Sequence, residues 1–287
     1  MKLILHTDTD AAINTFISHP THALLLTGQA GSGKGTVAEH IVSSLLDIDP
    51  SRFTNAPHIM QLDAQEDGSI DSIRASQRFM QLKTPGERLY RRALIIEHAE
   101  QLSQEAQNAF LKLLEEPPSD SILVLTSENS RMLLPTIMSR LQRIPVLSPD
   151  LGSLLTNLGA QGHSPASIER AYYTSEGSVG LMQALLEKQS EHPLVEQIEL
   201  AKTLLRAPLF ERLSRVDELS KQKDSLPLLL QAIQRVSHAA LLQAGQSNKT
   251  ALIRRWHRTL QAVTTAQEQL RKNANAKLVL SDLLLSL

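Results

Sequence analysis

The sequence predicts an α/β nucleotide-binding module followed by helical domains. Apolar runs alternate with helical patterns over the first half of the chain, and a glycine-rich loop follows the first of these runs. Beyond about residue 150 leucine-rich amphipathic stretches replace the strand pattern, which indicates helices packed on helices. We therefore expect a nucleotide-binding core over 1–147, a small helical domain over 148–189 and an all-α domain over 190–287.

Composition excludes several classes of protein. The 287 residues are 41% hydrophobic, enough to bury a sizeable core, and 29 basic against 30 acidic residues create no overall field for nucleic acid. The chain has no cysteine, and its histidines show no zinc-ligand spacing, so we expect no metal site of its own and no zinc. No apolar segment approaches about 20 residues and the N-terminus does not resemble a signal peptide. We expect a cytoplasmic protein without a membrane partner.

Five short apolar runs are predicted to form one parallel sheet. Each run is continuous rather than alternating, as expected of strands covered by helices on both faces. The runs cover residues 23–27, 58–62, 92–97, 121–127 and 143–147. Amphipathic segments such as 36–46 and 103–116 predict helices between the strands, and Pro117 ends the second because proline cannot continue a helix.

The C-terminal part of the chain predicts a bundle of about five helices. Leucines occupy one face of each segment and charged residues the other, so the bundle closes its own core or presents a seam to other subunits. The segments are 192–207, 209–222, 227–245, 250–272 and 275–287. Before them, residues 151–188 hold two or three shorter helical patterns around the sequence SEGSVGLMQALLEK.

Residues 28–36, GQAGSGKGT, resemble a phosphate-binding loop. The loop follows a predicted strand and opens a predicted helix, which is the context that this motif requires. Gly28, Gly31 and Gly33 allow backbone N–H groups to turn toward phosphate oxygens, and Lys34 adds positive charge at the helix N-terminus. We expect the loop to bind ATP or ADP; the alternative is a loop that keeps this shape only for packing.

One position of the loop departs from the pattern. A hydroxyl should follow the lysine because it is a Mg²⁺ ligand, whereas this chain has Gly35, with Thr36 one place later. The Mg²⁺ site is therefore weak unless Thr36, Ser32 or a water supplies the ligand. The K-G-T ending also resembles nucleoside monophosphate kinases, but the leucine-rich second half has no insertion that could serve as their lid.

The strand over 92–97 ends in an acid, as expected of a nucleotide-binding ATPase. Glu97 is placed to hold Mg²⁺ through water, and hydrolytic versions carry a second carboxylate next to it that polarises the attacking water. This chain has His98 instead, which is a poor electrostatic substitute or simply a polar residue at the strand end. We expect weak or absent intrinsic hydrolysis.

Three segments together resemble the bacterial replicative clamp loader, an AAA+ family. ALIIEHAEQLSQEAQNAFLKLLEEPP (93–118) is similar to its nucleotide-facing strand and the next helix. LTSENSRMLLPTIMSRLQ (125–142) is similar to its first sensor strand and S-R-C motif, and KNANAKLVLSDLLLSL (272–287) to its last collar helix. The segments follow the family's order over nearly the whole chain.

The resemblance implies an AAA+ module with a helical lid and a helical collar, and gives roles to two sites. Thr126 or Ser127 corresponds to the first sensor. Arg140 corresponds to the arginine of the S-R-C motif, here Ser139, Arg140 and Leu141, which implies an arginine finger that acts in trans on the ATP site of a neighbouring subunit.

Three departures from the motor subunits of that family imply its non-hydrolysing, delta-prime type. They are the missing hydroxyl at Gly35, the missing second carboxylate at His98, and Gly180 where the motors carry an arginine. The alternative is an active motor ATPase of the same ring. The family's usual four-cysteine zinc module is absent, which makes this an atypical member.

The resemblance also implies partners. These are the gamma/tau motor subunits, the delta subunit, the sliding clamp and, through the complex, primed DNA. The segment with Arg74, Arg78, Lys83 and Arg88 corresponds to a helix near the DNA backbone in that family. These residues either contact phosphates or form a solvated charged face.

Overall fold

The structure is a computed structural model that describes residues 3–82, 88–187, 192–222 and 225–287, with Ser51 and Thr54 described by their backbone only. The chain divides into two compact units, Met1–Asp150 and Leu151–Leu287. The further division of the second unit into a lid and a collar stays a prediction. Within the described residues, no helix combines the length and apolarity needed to cross a membrane.

A five-stranded parallel sheet forms the centre of the first unit. Its strands are β1 (Ala23–Thr27), β2 (Ile59–Asp63), β3 (Arg92–Glu97), β4 (Ser121–Ser127) and β5 (Gln142–Pro145), in the spatial order β2-β3-β4-β1-β5. The three inner strands are buried along almost their whole length, which explains their continuous apolar sequences. The predicted α/β fold and its five strands are confirmed.

Helices cover both faces of the sheet. They are α1 (Thr7–Ser18), α2 (Lys34–Leu46), α3 (Ala64–Asp67), α4 (Ile70–Met80), α5 (Gln104–Glu115) and α6 (Pro135–Met138), with 3₁₀ turns at Pro50–Asn55, Ala99–Gln101 and Ser130–Met132. Because successive strand residues point to opposite faces, Leu24 and Leu26 pack with α1 and α2, whereas Leu25 packs with α4 and α5. Helix α1, which buries Ile13 and Phe16, was not predicted from the sequence.

The strand register aligns the ends of the strands in one row. Asp63 of β2 lies opposite Glu97 of β3, and Ser127 of β4 lies opposite Thr27 of β1. The loop after β1 therefore begins beside the hydroxyls at the end of β4, at the same edge of the sheet as the acids at the ends of β3 and β2. In open α/β sheets ligands bind at this edge.

The second unit is entirely helical. It contains α7 (Leu151–Gly159), α8 (Pro165–Ser175), α9 (Val179–Glu187), α10 (Pro193–Arg206), α11 (Leu209–Ser214), α12 (Val216–Leu219), α13 (Leu226–Gln246), α14 (Thr250–Arg271) and α15 (Ala276–Ser286). One apolar core extends from Leu181 of α9 to α15. The predicted helix over 209–222 is two short helices, because the chain turns at Arg215 and places Val216 and Leu219 in this core.

Arg235 of α13 forms a hydrogen bond and an ion pair with the C-terminal end of α8. Its guanidinium Nη1 donates a hydrogen bond of 2.6 Å to the carbonyl oxygen of Ser175 and lies 3.4 Å from the carboxylate of Glu176. The same carboxylate lies 3.0 Å from Nδ1 of His238, one turn further along α13. The turn after α8 is thus held by two side chains of one long helix.

Candidate functional site

The loop between β1 and α2 has the backbone of a phosphate-binding loop. Gly31 and Gly33 have φ angles of 72° and 87°, in the left-handed region that favours glycine. Gly33 is also the N-cap of α2 and makes no side-chain capping bond, so the N–H groups of the first turn point into the loop without a capping side chain. Together with the helix dipole, such N–H groups favour an anion.

The lysine of the loop is bound to the loop itself. Nζ of Lys34 donates hydrogen bonds to the carbonyl oxygens of Gly28 (3.0 Å) and Gln29 (2.8 Å), and it lies 3.7 Å from a carboxylate oxygen of Glu128. Burial lowers the pKa of Lys34, and the carboxylates of Glu128 and Glu100 oppose that shift. A phosphate at this position would have to compete with the two carbonyls and with Glu128.

Glu97 occupies the space next to Gly35. A Cβ atom at position 35 would lie 2.9 Å from Oε2 of Glu97, which is too close for a real contact. The hydroxyl residue that the motif calls for therefore fits only if Glu97 moves. For Mg²⁺ the chain offers the carboxylate of Glu97 here and no side chain at position 35, so the ion would also need phosphate oxygens and water as ligands.

We expect Glu97→Gln to stabilise the ligand-free protein at neutral pH. Burial raises the pKa of Glu97, with Asp63 and Glu39 adding to the shift. A carboxyl with a raised native pKa holds its proton more tightly when folded, so stability falls as pH rises above the ordinary value of about 4.3. The gain should be present at pH 7 and absent below about pH 4, where the carboxyl is protonated in both the folded and the unfolded protein.

Urea unfolding of Glu97→Gln and of the wild type at several pH values measures this effect. The matched control is Glu169→Gln, which removes an exposed carboxylate from α8. A Glu97→Gln protein that is less stable than the wild type at pH 7 would contradict the expectation.

His98 is engaged at both its backbone and its ring. Its φ angle is 50°, its N–H donates to the hydroxyl of Thr126 (3.2 Å), and Nδ1 lies 2.9 Å from Oδ1 of Asp63. Burial acts to raise the pKa of Asp63, but hydrogen bonds from the N–H of Gln65 and from His98 outweigh it, and the pKa lies below its ordinary value. The imidazole is thus paired with a carboxylate of the neighbouring strand.

Two acids behind the loop, Glu100 and Glu128, were not singled out in the sequence. Glu100 is buried; its Oε1 accepts the N–H of Glu128 (3.0 Å), while Oε2 has no hydrogen-bond partner within the described part of the chain. The buried hydroxyls of Ser32 and Ser127 lack partners there as well. The only signal for Glu100 and Glu128 was their position just after predicted strands.

Arg140 lies at the end of the β4–β5 connection, away from the hydrogen-bond network of the loop. Its Nη2 pairs with Oε1 of Glu115 (2.9 Å), and Nη1 donates to the carbonyl oxygen of Thr136 (2.9 Å). Its side chain is 36% exposed. Among the described residues no hydrogen bond or ion pair joins Arg140 to residues 28–36, so an action on a nucleotide of this chain has no support.

The basic residues predicted as phosphate contacts differ in their surroundings. Arg88 bonds the carbonyls of Leu46 and Asp47 and pairs with the Asp47 carboxylate (2.8 Å), so it anchors the end of α2. Arg74 lies 3.3 Å from Asp71, and Arg78 is exposed on the same helix. Lys83 lies outside the described residues.

Comparison with known proteins finds relatives among the subunits of DNA polymerase III. The family model described as "DNA polymerase III, delta subunit" matches residues 14–150. The DNA polymerase III subunit delta' of Pseudomonas aeruginosa is 30% identical over 233 residues, which are 73% of this chain and 67% of that protein. The Bacillus subtilis subunit delta' is 31% identical over 44% of this chain and 42% of its own length.

A motor-type relative and a solved structure extend the comparison. The Mycobacterium tuberculosis subunit gamma/tau is 30% identical over 43% of this chain, but the match spans only 24% of that protein. A DNA polymerase III gamma subunit-related protein of Thermotoga maritima superimposes with a TM-score of 0.52 over 97% of both chains. Because its identity is 20%, this match bears on the fold alone.

Proposed function

The chain belongs to the family of DNA polymerase III delta' subunits, and on that premise we propose that it is a non-hydrolysing subunit of a clamp loader, which helps place the sliding clamp on primed DNA. Its partners are then the gamma/tau motor subunits, the delta subunit and the clamp. In this proposal the chain contributes to the ATPase activity of the complex through Arg140, which acts in trans on the ATP site of a neighbouring motor subunit.

The observation that carries this proposal is a well-formed phosphate loop without hydrolytic groups. The glycine backbone and helix N-terminus suit a nucleotide phosphate, but position 35 has no hydroxyl and Glu97 fills the space beside it. The ring of His98, where a second carboxylate would polarise water, is paired with Asp63. ATP or ADP would be held by residues 28–36, with Glu97 reaching Mg²⁺ that arrives with the phosphates.

Gly180 supports the same reading. It is exposed on α9, and an added Cβ would meet no atom within 4 Å, so packing does not require a glycine. The motors of the resembling family carry an arginine at the corresponding position, so a glycine here fits the non-hydrolysing type.

Clamp loading by a reconstituted complex tests the proposal. Clamp on primed DNA is measured with gamma/tau and delta in the presence and absence of this chain, and ATP turnover is measured for the chain alone. We expect loading to need the chain and the chain alone to be silent. Loading that proceeds equally well without it would overturn the proposal, whereas turnover by the isolated chain would establish the alternative, an active motor subunit.

Glu128→Gln should tighten the binding of ADP by a factor of about 3–10, because a carboxylate 3.7 Å from Nζ of Lys34 competes with the phosphates for that cation. Isothermal titration of the isolated chain with ADP and Mg²⁺ measures this change. Glu105→Gln, which neutralises an exposed acid of α5, is the control. Equal or weaker ADP binding by Glu128→Gln would mean that Glu128 does not compete.

A further inference from the structure

One segment of the second unit contains basic residues but no acidic residues. Between Asp224 and Glu268 the sequence has no acidic residue, although at the average density of the chain about four would be expected there. The same segment contains five basic residues, Arg235, Lys249, Arg254, Arg255 and Arg258. The formal net charge of the whole chain is −1, so this segment is much more positive than the rest of the chain.

Two of these arginines lie on the outer face of α14. Arg254 and Arg258 are exposed and four residues apart, so the helix separates them by about 6 Å. Like charges at this spacing weaken a helix by a few tenths of a kcal/mol. No carboxylate forms an ion pair with either residue in the part of the chain that the structure describes. Helix stability therefore does not explain the pair.

A groove lined by the neighbouring residue Arg255 adds further positive charge. It lies between α10, α13 and α14 with a volume of about 440 Å³, and Arg206, Arg255 and Trp256 contribute to its walls. Nη2 of Arg255 donates to the carbonyl oxygen of Leu205 (3.2 Å), and the guanidinium lies 5.0 Å from the centre of the Trp256 ring. The guanidinium is thus held in place while the side chain stays exposed.

We propose that Arg254 and Arg258, with the groove walled by Arg206 and Arg255, form a binding surface for single-stranded DNA. Cations spread along a helix face and into a groove suit a flexible phosphodiester chain, which pairs with several of them in succession. The planar guanidinium of Arg255 also offers a face on which a base can stack. The choice of DNA rests on the family to which the chain belongs.

An acidic peptide is the other polyanion to consider. Such a partner usually adds an apolar anchor that enters a hydrophobic pocket. Here the aromatic wall is already covered, because Arg255 lies over Trp256 and that ring also packs against the core. The exposed large apolar residue of α14, Leu252, is 38% exposed and lies on the opposite side of the helix from Arg254, because two helical residues in sequence are about 200° apart. These features favour phosphate over a peptide anchor.

Trp256 makes the test direct, because it is the only tryptophan of the chain. The full-length protein is titrated with oligo(dT) of about 20 nucleotides, longer than the sites of about 4–16 nucleotides common for single-strand binders. Tryptophan fluorescence then reports from the groove itself. We expect a saturable change in fluorescence and an affinity that falls with salt.

The double variant Arg254→Gln, Arg258→Gln should bind about 10-fold more weakly at low salt. The slope of log K against log salt should fall in magnitude by about 1.4, which is 0.7 for each of two lost phosphate contacts on a single strand. The matched control is Arg170→Gln, Arg215→Gln, which removes the same charge from exposed positions of α8 and the α11–α12 turn. The control should bind within about 2-fold of the wild type.

Three results would overturn the proposal. They are a tryptophan signal that oligo(dT) does not change, equal affinities and salt slopes for the two double variants, and competition by poly-glutamate at charge equivalence with the DNA. The last result would assign the surface to an acidic protein partner. Circular dichroism of the variants verifies that the exchanged surface residues leave the helices intact.

Discussion

Arg140→Ala should lower the ATP turnover of a reconstituted clamp loader by a factor on the order of 10 or more, because an arginine finger stabilises charge that develops on the transferred phosphoryl group. Turnover is measured with clamp and primed DNA present. Since the interaction acts on the transition state, kcat should fall while KM for ATP changes little. Arg143→Ala, which removes another exposed arginine three residues along the chain, is the matched control.

The ion pair between Arg140 and Glu115 provides a second variant for this test. The finger is held by a carboxylate at 2.9 Å in the isolated chain, so it must leave that partner to meet a phosphate. Glu115→Gln should therefore keep or raise the turnover of the complex. A complex in which Arg140→Ala turns over ATP as fast as Arg143→Ala would remove Arg140 from the mechanism.

Phe110→Ala should destabilise the first unit by about 3–5 kcal/mol, the cost typical of a large-to-small change in a packed core. Phe110 lies on α5 with no exposed surface and packs against the central strands and α4. Its neighbour Asn108 is exposed on the same helix, so Asn108→Ala is the control.

Two probes separate the units in a urea titration of Phe110→Ala. Far-UV circular dichroism reports on the whole chain, whereas the fluorescence of Trp256 reports on the second unit, which has a core of its own. We expect the dichroism transition to move to lower urea and the tryptophan transition to stay in place. A variant whose stability matches that of Asn108→Ala would show that the core around Phe110 is loosely packed.

Much of the first unit could be predicted because its elements have local causes. A strand buried on both faces needs a continuous apolar run, and a loop around a phosphate needs glycines, so β1, β3, β4 and residues 28–36 are readable from short segments. The position of Glu97 at the end of an apolar run follows from the same logic. The sheet then aligns these ends by its register.

The partners of the site residues could not be predicted in this way. His98 meets Asp63, 35 residues earlier, only because β2 lies next to β3. Arg88 meets the end of α2 across 42 residues, and Lys34 turns back on its own loop instead of outward. Such pairs depend on strand order and on side-chain choices within the fold, which no local pattern encodes. The role of Arg140 in trans and the binding of a nucleotide by residues 28–36 stay predictions.

The bond between Arg235 and the end of α8 has a mechanical consequence. Because the carbonyl of Ser175 and the carboxylate of Glu176 share one guanidinium, a rotation of α8 away from α13 has to break two charge-assisted contacts at once. The end of α8 and the middle of α13 should therefore move together when the helices of this unit shift.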